Sequence, residues 1–177
     1  MSRNRYVKDY RLVENVNERG RIKTTYEYIG EDYYFAADAG TVHAARKRLA
    51  VVCLIGWIAF IGALLPVSVA GHTLYVTLPF AAAAWPLGLL TGVGISLFHA
   101  REPLEHRHAD RIENRYPASA VFVLMLSTAS LIGESVNLFR GLPLLTGDLV
   151  FSVCAAILFI CALAAWRLRP DLLCRTK

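Results

Sequence analysis

The sequence predicts an all-α membrane protein, a four-helix transmembrane bundle of two antiparallel hairpins that carries a small N-terminal cytoplasmic β element. Three observations lead there. Hydrophobic residues make up 55% of the chain and the mean hydropathy is +0.41, more apolar than a soluble domain whose surface must face water. Residues 49–98 contain no Asp, Glu, Lys or Arg, so the polar stripe that a helix of a soluble bundle keeps for solvent is missing. Basic residues collect beside alternate ends of the apolar runs, the pattern of cytoplasmic flanks.

The first element, residues 1–40, reads as a β-hairpin or three-stranded meander, with strands over 6–16, 21–29 and 33–35. Tyr, Val, Ile and Thr dominate, and alternation puts Tyr10, Leu12 and Val16 on one face and Ile22, Thr24, Tyr26 and Tyr28 on one face of the next strand. Asn17 and Gly20 suit the first and fourth positions of a type I turn. An isolated hairpin is marginal in water, so this one needs a surface to lie against. The cytoplasmic loop, the headgroup region, a second copy of the chain or another protein would each serve. Acidic and basic residues balance over this segment and no RNP-type motif is present, which argues against nucleic acid. Asp38 or Thr41 is placed to cap a helix that runs through Arg46, Lys47 and Arg48 into the first span.

The remainder, residues 41–177, is expected to form the transmembrane domain. A helix crossing about 30 Å of hydrocarbon needs about 20 mainly apolar residues, and four runs qualify, at about 49–70, 73–98, 118–139 and 149–166. Gly71 and His72 punctuate the first pair and residues 141–147 the second, connectors short enough for antiparallel neighbours. No cleavable signal precedes residue 49, so the first span reads as an uncleaved signal anchor. Arg46–Arg48, the Arg residues at 101, 107, 111 and 115, and the tail residues Arg167, Arg169, Arg175 and Lys177 flank one side, whereas the opposite loops offer Arg140 alone. The expectation is a multi-pass protein of the cell membrane, such as a bacterial inner membrane, with both termini and loop 99–117 cytoplasmic and facing anionic headgroups.

Within the spans, Glu134 is the one ionisable side chain, and a carboxylate in hydrocarbon costs about 2.5–3.5 kcal/mol on insertion scales. Ser127, Ser130, Glu134 and Asn137 recur at helical spacing and share one face of the third span. Two readings fit this face: an ion pathway, or an interhelix polar face in which hydroxyls and the amide hold helices together at about 0.6 kcal/mol per contact. Glu134 also lies near enough to the span's end to reach Arg140. In the second span, Ala84, Gly88, Gly92 and Ser96 form a small-residue ridge suited to helix packing, and Pro79 and Pro86 predict two kinks. Trp57, Trp85 and Trp166 read as interface anchors.

Residues 103–115 suggest a short amphipathic helix on the membrane, with Leu104, Ile112 and Tyr116 on one side and arginines on another. His106 and Asp110 stand one turn apart, with His108 between them and Glu102 just upstream, which makes them candidate metal ligands, but alternating charge is what any solvated loop displays, so no metal and no cofactor are assigned. Cys53, Cys154, Cys161 and Cys174 form no Cys-x-x-Cys pair and read as packing residues. No nucleophile and base set appears. The functional expectation is a non-enzymatic membrane protein that acts by association, as a homo-oligomer or as a subunit of a membrane complex. A small proton- or cation-linked transporter using Glu134 is the alternative, and a membrane enzyme with a cytoplasmic His/acid site comes third.

Overall fold

In the computed structural model, Asp38 ends an extended segment and caps the first helix, its carboxylate accepting from the Thr41 amide at 3.1 Å and from the Thr41 hydroxyl at 2.6 Å. The structure describes residues 7–16, 22–66, 68, 73–100, 103–140, 146–172 and 174–176. The 17–20 turn, the Gly71 and His72 connector, Glu102 and residues 141–145 lie outside the described residues. From its cap, helix α1 runs over Ala39–Leu64. Val42, Ala45, Leu49, Cys53, Gly56, Phe60 and Ala63 recur at steps of three and four along its buried face. Leu54, Ile58, Ile61 and Leu65, on the other side, are exposed.

The same inside-out pattern holds in the other long helices. Leu74–Ala82 (α2) and Ala84–His99 (α3) together make the second apolar helix, α5 (Tyr116–Phe139) belongs to the third, and α6 (Thr146–Arg167) is the fourth. Four helices are therefore long and apolar enough to cross a membrane. Their outward faces carry Leu78, Trp85, Ile95, Phe122, Met125, Ile132, Val153 and Ile160, an apolar belt that water would penalise and lipid would not. In lipid the leucines outside lose nothing by exposure, so packing and interhelical hydrogen bonds, not hydrophobic burial, select the arrangement.

Helix α1 packs against α6 and α3, and α5 packs against α6, α2 and α3. Two buried clusters fill the space between them. One gathers Leu49, Leu90, Leu97, Ile112, Tyr116 and Ala165, and the other gathers Phe60, Val76, Phe80, Val123, Phe151 and Leu158. In the second cluster the Phe60 and Phe80 rings stack with centroids 5.0 Å apart, and Phe151 tilts against Phe80 at 4.9 Å. Trp57 is not an interface anchor: half-buried in the bundle, it donates its indole N–H to Thr91 at 3.0 Å. A buried indole needs such a partner.

The second span breaks once, at Ala83. Pro79 lies inside α2 and Pro86 in the first turn of α3, where a missing N–H has no intrahelical acceptor to lose. The Ala83 amide is shared between the carbonyls of Pro79 and Phe80, each at 3.1 Å.

Strands β1 (Tyr10–Val16) and β2 (Ile22–Tyr28) pair antiparallel, with Tyr10 opposite Tyr28 and Leu12 opposite Tyr26, the faces that alternation in the sequence predicts. The three-stranded meander does not form. Strand β3 (Tyr33–Phe35) turns away from β2 and pairs instead with β4 (Cys174–Thr176) from the C-terminal tail. Its other edge bridges to Leu104, with Tyr33 N to Leu104 O at 3.0 Å and Leu104 N to Tyr33 O at 2.8 Å. The cause lies just before β3, where the Tyr28 hydroxyl donates to the Glu31 carbonyl at 2.7 Å and folds the connector back on the end of β2. A strand before α1, a residue between α3 and α5, and a strand after α6 are thus knit together, which puts all three segments at one end of the bundle.

The separate surface helix over 103–115 is also corrected. Helix α4 (His106–Asp110) passes through a π-helical turn, Arg111–Arg115, straight into α5. Pro117 would press its ring on the carbonyl four residues back in a regular helix, and the wider turn relieves that contact. Leu104, Ile112 and Tyr116 do share a side, but all three are buried against the bundle, and the Tyr116 hydroxyl donates to the carbonyl of Ala165 on α6.

Candidate functional site

The predicted polar face of α5 is buried along its length, with Ser127 and Ser130 at 0%, Asn137 at 3% and Glu134 at 9% exposure. These residues do not act together. Ser127 turns its hydroxyl back to its own helix, donating to Val123 O at 2.8 Å, the usual satisfaction of a mid-helix serine. Ser130 donates to Leu126 O at 3.0 Å and lies 3.4 Å from Val76 O on α2. The outer pair makes the crossing: Asn137 donates to Glu134 Oε2 at 3.2 Å and to Thr73 Oγ1 at 3.3 Å, and accepts from the Tyr75 hydroxyl. Both amide protons and the amide oxygen are engaged, so this one side chain ties the buried carboxylate to the start of α2.

Arg140 does not pair with Glu134. Six residues on, it points to a different side of the helix, where its guanidinium lies over the Tyr75 ring at 5.8 Å. Sequence reading missed a second buried acid, Asp148, in the first turn of α6 and 1% exposed. Counting it as loop before the fourth span hid it. The available signal was an acid in a helix's first turn, where the helix dipole favours negative charge.

What lets α2 come this close is Gly133. A Cβ there would meet Val76 Cγ2 at 2.9 Å and the Tyr75 carbonyl at 3.4 Å, and Pro79 leaves that carbonyl without its usual donor. Gly88 and Gly92, by contrast, face outward, and no other element among the described residues comes within 4 Å of an added Cβ.

At the other end of the bundle the hairpin docks on the segment entering α4. The Tyr10 hydroxyl donates to Glu105 Oε2 at 2.6 Å, the His106 amide donates to the Tyr28 hydroxyl at 2.9 Å, and Asp9 Oδ2 lies 3.3 Å from His106 Nδ1. Hydrogen bonding to Glu105 and burial push the Tyr10 phenol up to about 12, and burial raises Tyr28 and Tyr33. Asp110 accepts instead from Asn114 at 2.7 Å, so His106 and Asp110 serve different partners, and the described residues hold no group of three or more metal-ligating side chains. Leu12 and Tyr26, farther along the docked face, stay 52% and 70% exposed. No protein family matches the chain, and neither a curated protein nor a solved structure matches it.

Proposed function

We propose that the protein is a non-enzymatic, multi-pass protein of the cell membrane that works by association, most directly with a second copy of itself, through the outward face of α3. The observation that carries this reading is the open space over Gly88 and Gly92. Glycine in a helix costs about 1 kcal/mol relative to alanine, and here no neighbour among the described residues uses the close approach it permits. A facing helix would use it. The exposed Leu12 and Tyr26 pair on the hairpin offers a second contact outside the membrane. In this reading the bundle is two antiparallel hairpins, the sheets lie on the cytoplasmic side with both termini, and the arginines around them face anionic headgroups. The test is the oligomeric state of the full chain in lipid nanodiscs. Wild type is expected to carry two copies per disc and Gly88→Leu with Gly92→Leu one; equal occupancy would remove the α3 face from the account.

A second reading, a proton- or cation-linked role for Glu134, draws on the burial of Glu134 and of Asp148 in the first turn of α6. A carboxylate buried in low dielectric favours taking up a proton or a cation. Vesicles carrying Glu134→Gln that show the same proton flux as wild type would sink it. The third, a His/acid enzyme, gains nothing from the geometry, since His106 is engaged in docking the hairpin.

A further inference from the structure

Helix α2 is held differently at its two ends. Its outer end is fixed to α5 by side-chain hydrogen bonds, Tyr75 to Asn137 and Asn137 to Thr73. Its inner end is fixed by an aromatic stack, Phe80 between Phe60 of α1 and Phe151 of α6. Between α2 and α3 the helical ladder is weak. Pro79 lacks an N–H, so the carbonyl of Tyr75 loses its normal donor, and the Ala83 amide splits between two acceptors. Packing against α5 is close only because Gly133 has no side chain. Glu134, immediately beside that contact, is bonded to the same Asn137 that receives the latch.

We infer that α2 is a hinged cover over Glu134: it pivots about Phe80 and Ala83 and lifts its first turn, Thr73 to Val76, from α5, admitting water to the buried carboxylate from the end of the bundle opposite the sheets. The pivot is where the backbone has lost a rung and the ring stack holds position. The moving end is held by Val76 seated on Gly133 and by side-chain hydrogen bonds whose donors and acceptors water can take over. Closure buries Glu134 and satisfies it through Asn137; opening trades those bonds for hydration. The cover does not rest on association through α3, and it provides the access that an ion-linked Glu134 would need.

Thiol accessibility tests this without assuming any transport. Ser130→Cys places a small thiol beneath α2, beside Val76, in a chain with Cys53, Cys154 and Cys174 replaced by Ala. Cys161, buried on α6, is kept as an internal control. Vesicles of the full chain are treated with a membrane-impermeant thiol reagent. Tyr75→Phe removes the latch and is expected to raise labelling at 130 about threefold, the ratio that one lost interhelical hydrogen bond gives. Pro79→Ala restores a rung, stiffens the hinge and is expected to lower it, with Cys161 unchanged in both. Labelling at 130 that ignores both substitutions, or that rises in step with Cys161, would overturn the cover. Thr73→Val, which removes the other tie, decides the matter in the same way if Tyr75→Phe does not insert.

Discussion

The side-chain amide of Asn137 on α5 accepts from the Tyr75 hydroxyl on α2 while donating to Glu134 on its own helix. One residue therefore satisfies a buried carboxylate and anchors a neighbouring helix. Replacing it by Leu, of similar volume, breaks three contacts at once and leaves the carboxylate without its donor. At about 0.6 kcal/mol for each of the two contacts that cross to α2, Asn137→Leu is expected to lower the stability of the bundle by about 1 kcal/mol, read as the shift in an SDS unfolding midpoint followed by circular dichroism. An unchanged midpoint would show that the network contributes nothing to the fold.

Glycines at different faces should respond in opposite ways. Gly133→Val drives a side chain into Val76 and toward the Tyr75 carbonyl, and overpacking of this kind costs about 1–3 kcal/mol. Gly92→Val meets nothing within 4 Å, so in monomeric detergent preparations its stability should stay within about 0.5 kcal/mol of wild type. Equal sensitivity of the two positions in monomers would contradict the packing described.

Alkaline pH should release the hairpin. The Tyr10 phenol is held up to about 12 in the fold by its bond to Glu105 and by burial, against an ordinary value of 10.0. A raised value means that the folded state holds the proton longer than the unfolded one. Its contribution is present in full below pH 10.0 and is lost as pH rises through about 12. Hydrogen exchange at Tyr10–Val16 is expected to accelerate across that window beyond the intrinsic base-catalysed rise, and Tyr10→Phe should remove the excess. An excess that persists in Tyr10→Phe would assign the effect to other groups.

The C-terminal strand should protect the N-terminal one. Removing residues 174–176 strips β3 of one edge partner while leaving its bridge to Leu104. Amide exchange at Tyr34 and Phe35 should rise, with that of β1 and β2 unchanged. A uniform response of all three strands would mean that they form one cooperative unit.

The four long helices were legible in composition because a stretch without charge has no soluble alternative, and the Asp38 cap followed from one side chain and its spacing to Thr41. The register of β1 with β2 was legible for the same local reason. Non-local facts were not. Nothing near Tyr33 says that its partner lies beyond the last helix, and Asp148 looks like loop until the first turn of α6 is seen to close around it. Spacing marks Gly88 and Gly92 as a ridge but does not say whether the ridge faces in or out, and the glycine that lets α2 approach α5, Gly133, belongs to no repeat. The polar face of α5 was identified as a set, yet its members divide: Asn137 ties Glu134 to α2, Ser130 reaches Val76 O at 3.4 Å, and Ser127 bonds its own backbone, as serine hydroxyls in a helix do.

Association through α3 is the claim on which the functional reading stands, and energy transfer in vesicles tests it most directly. Full-length chains carrying a donor or an acceptor fluorophore on a cysteine introduced at Ser96, in a chain without the native cysteines, are mixed and diluted with increasing lipid. The account predicts transfer that persists on dilution for wild-type glycines and is lost for Gly88→Leu with Gly92→Leu. Transfer that decays with dilution as random proximity does, identically for both, would contradict it.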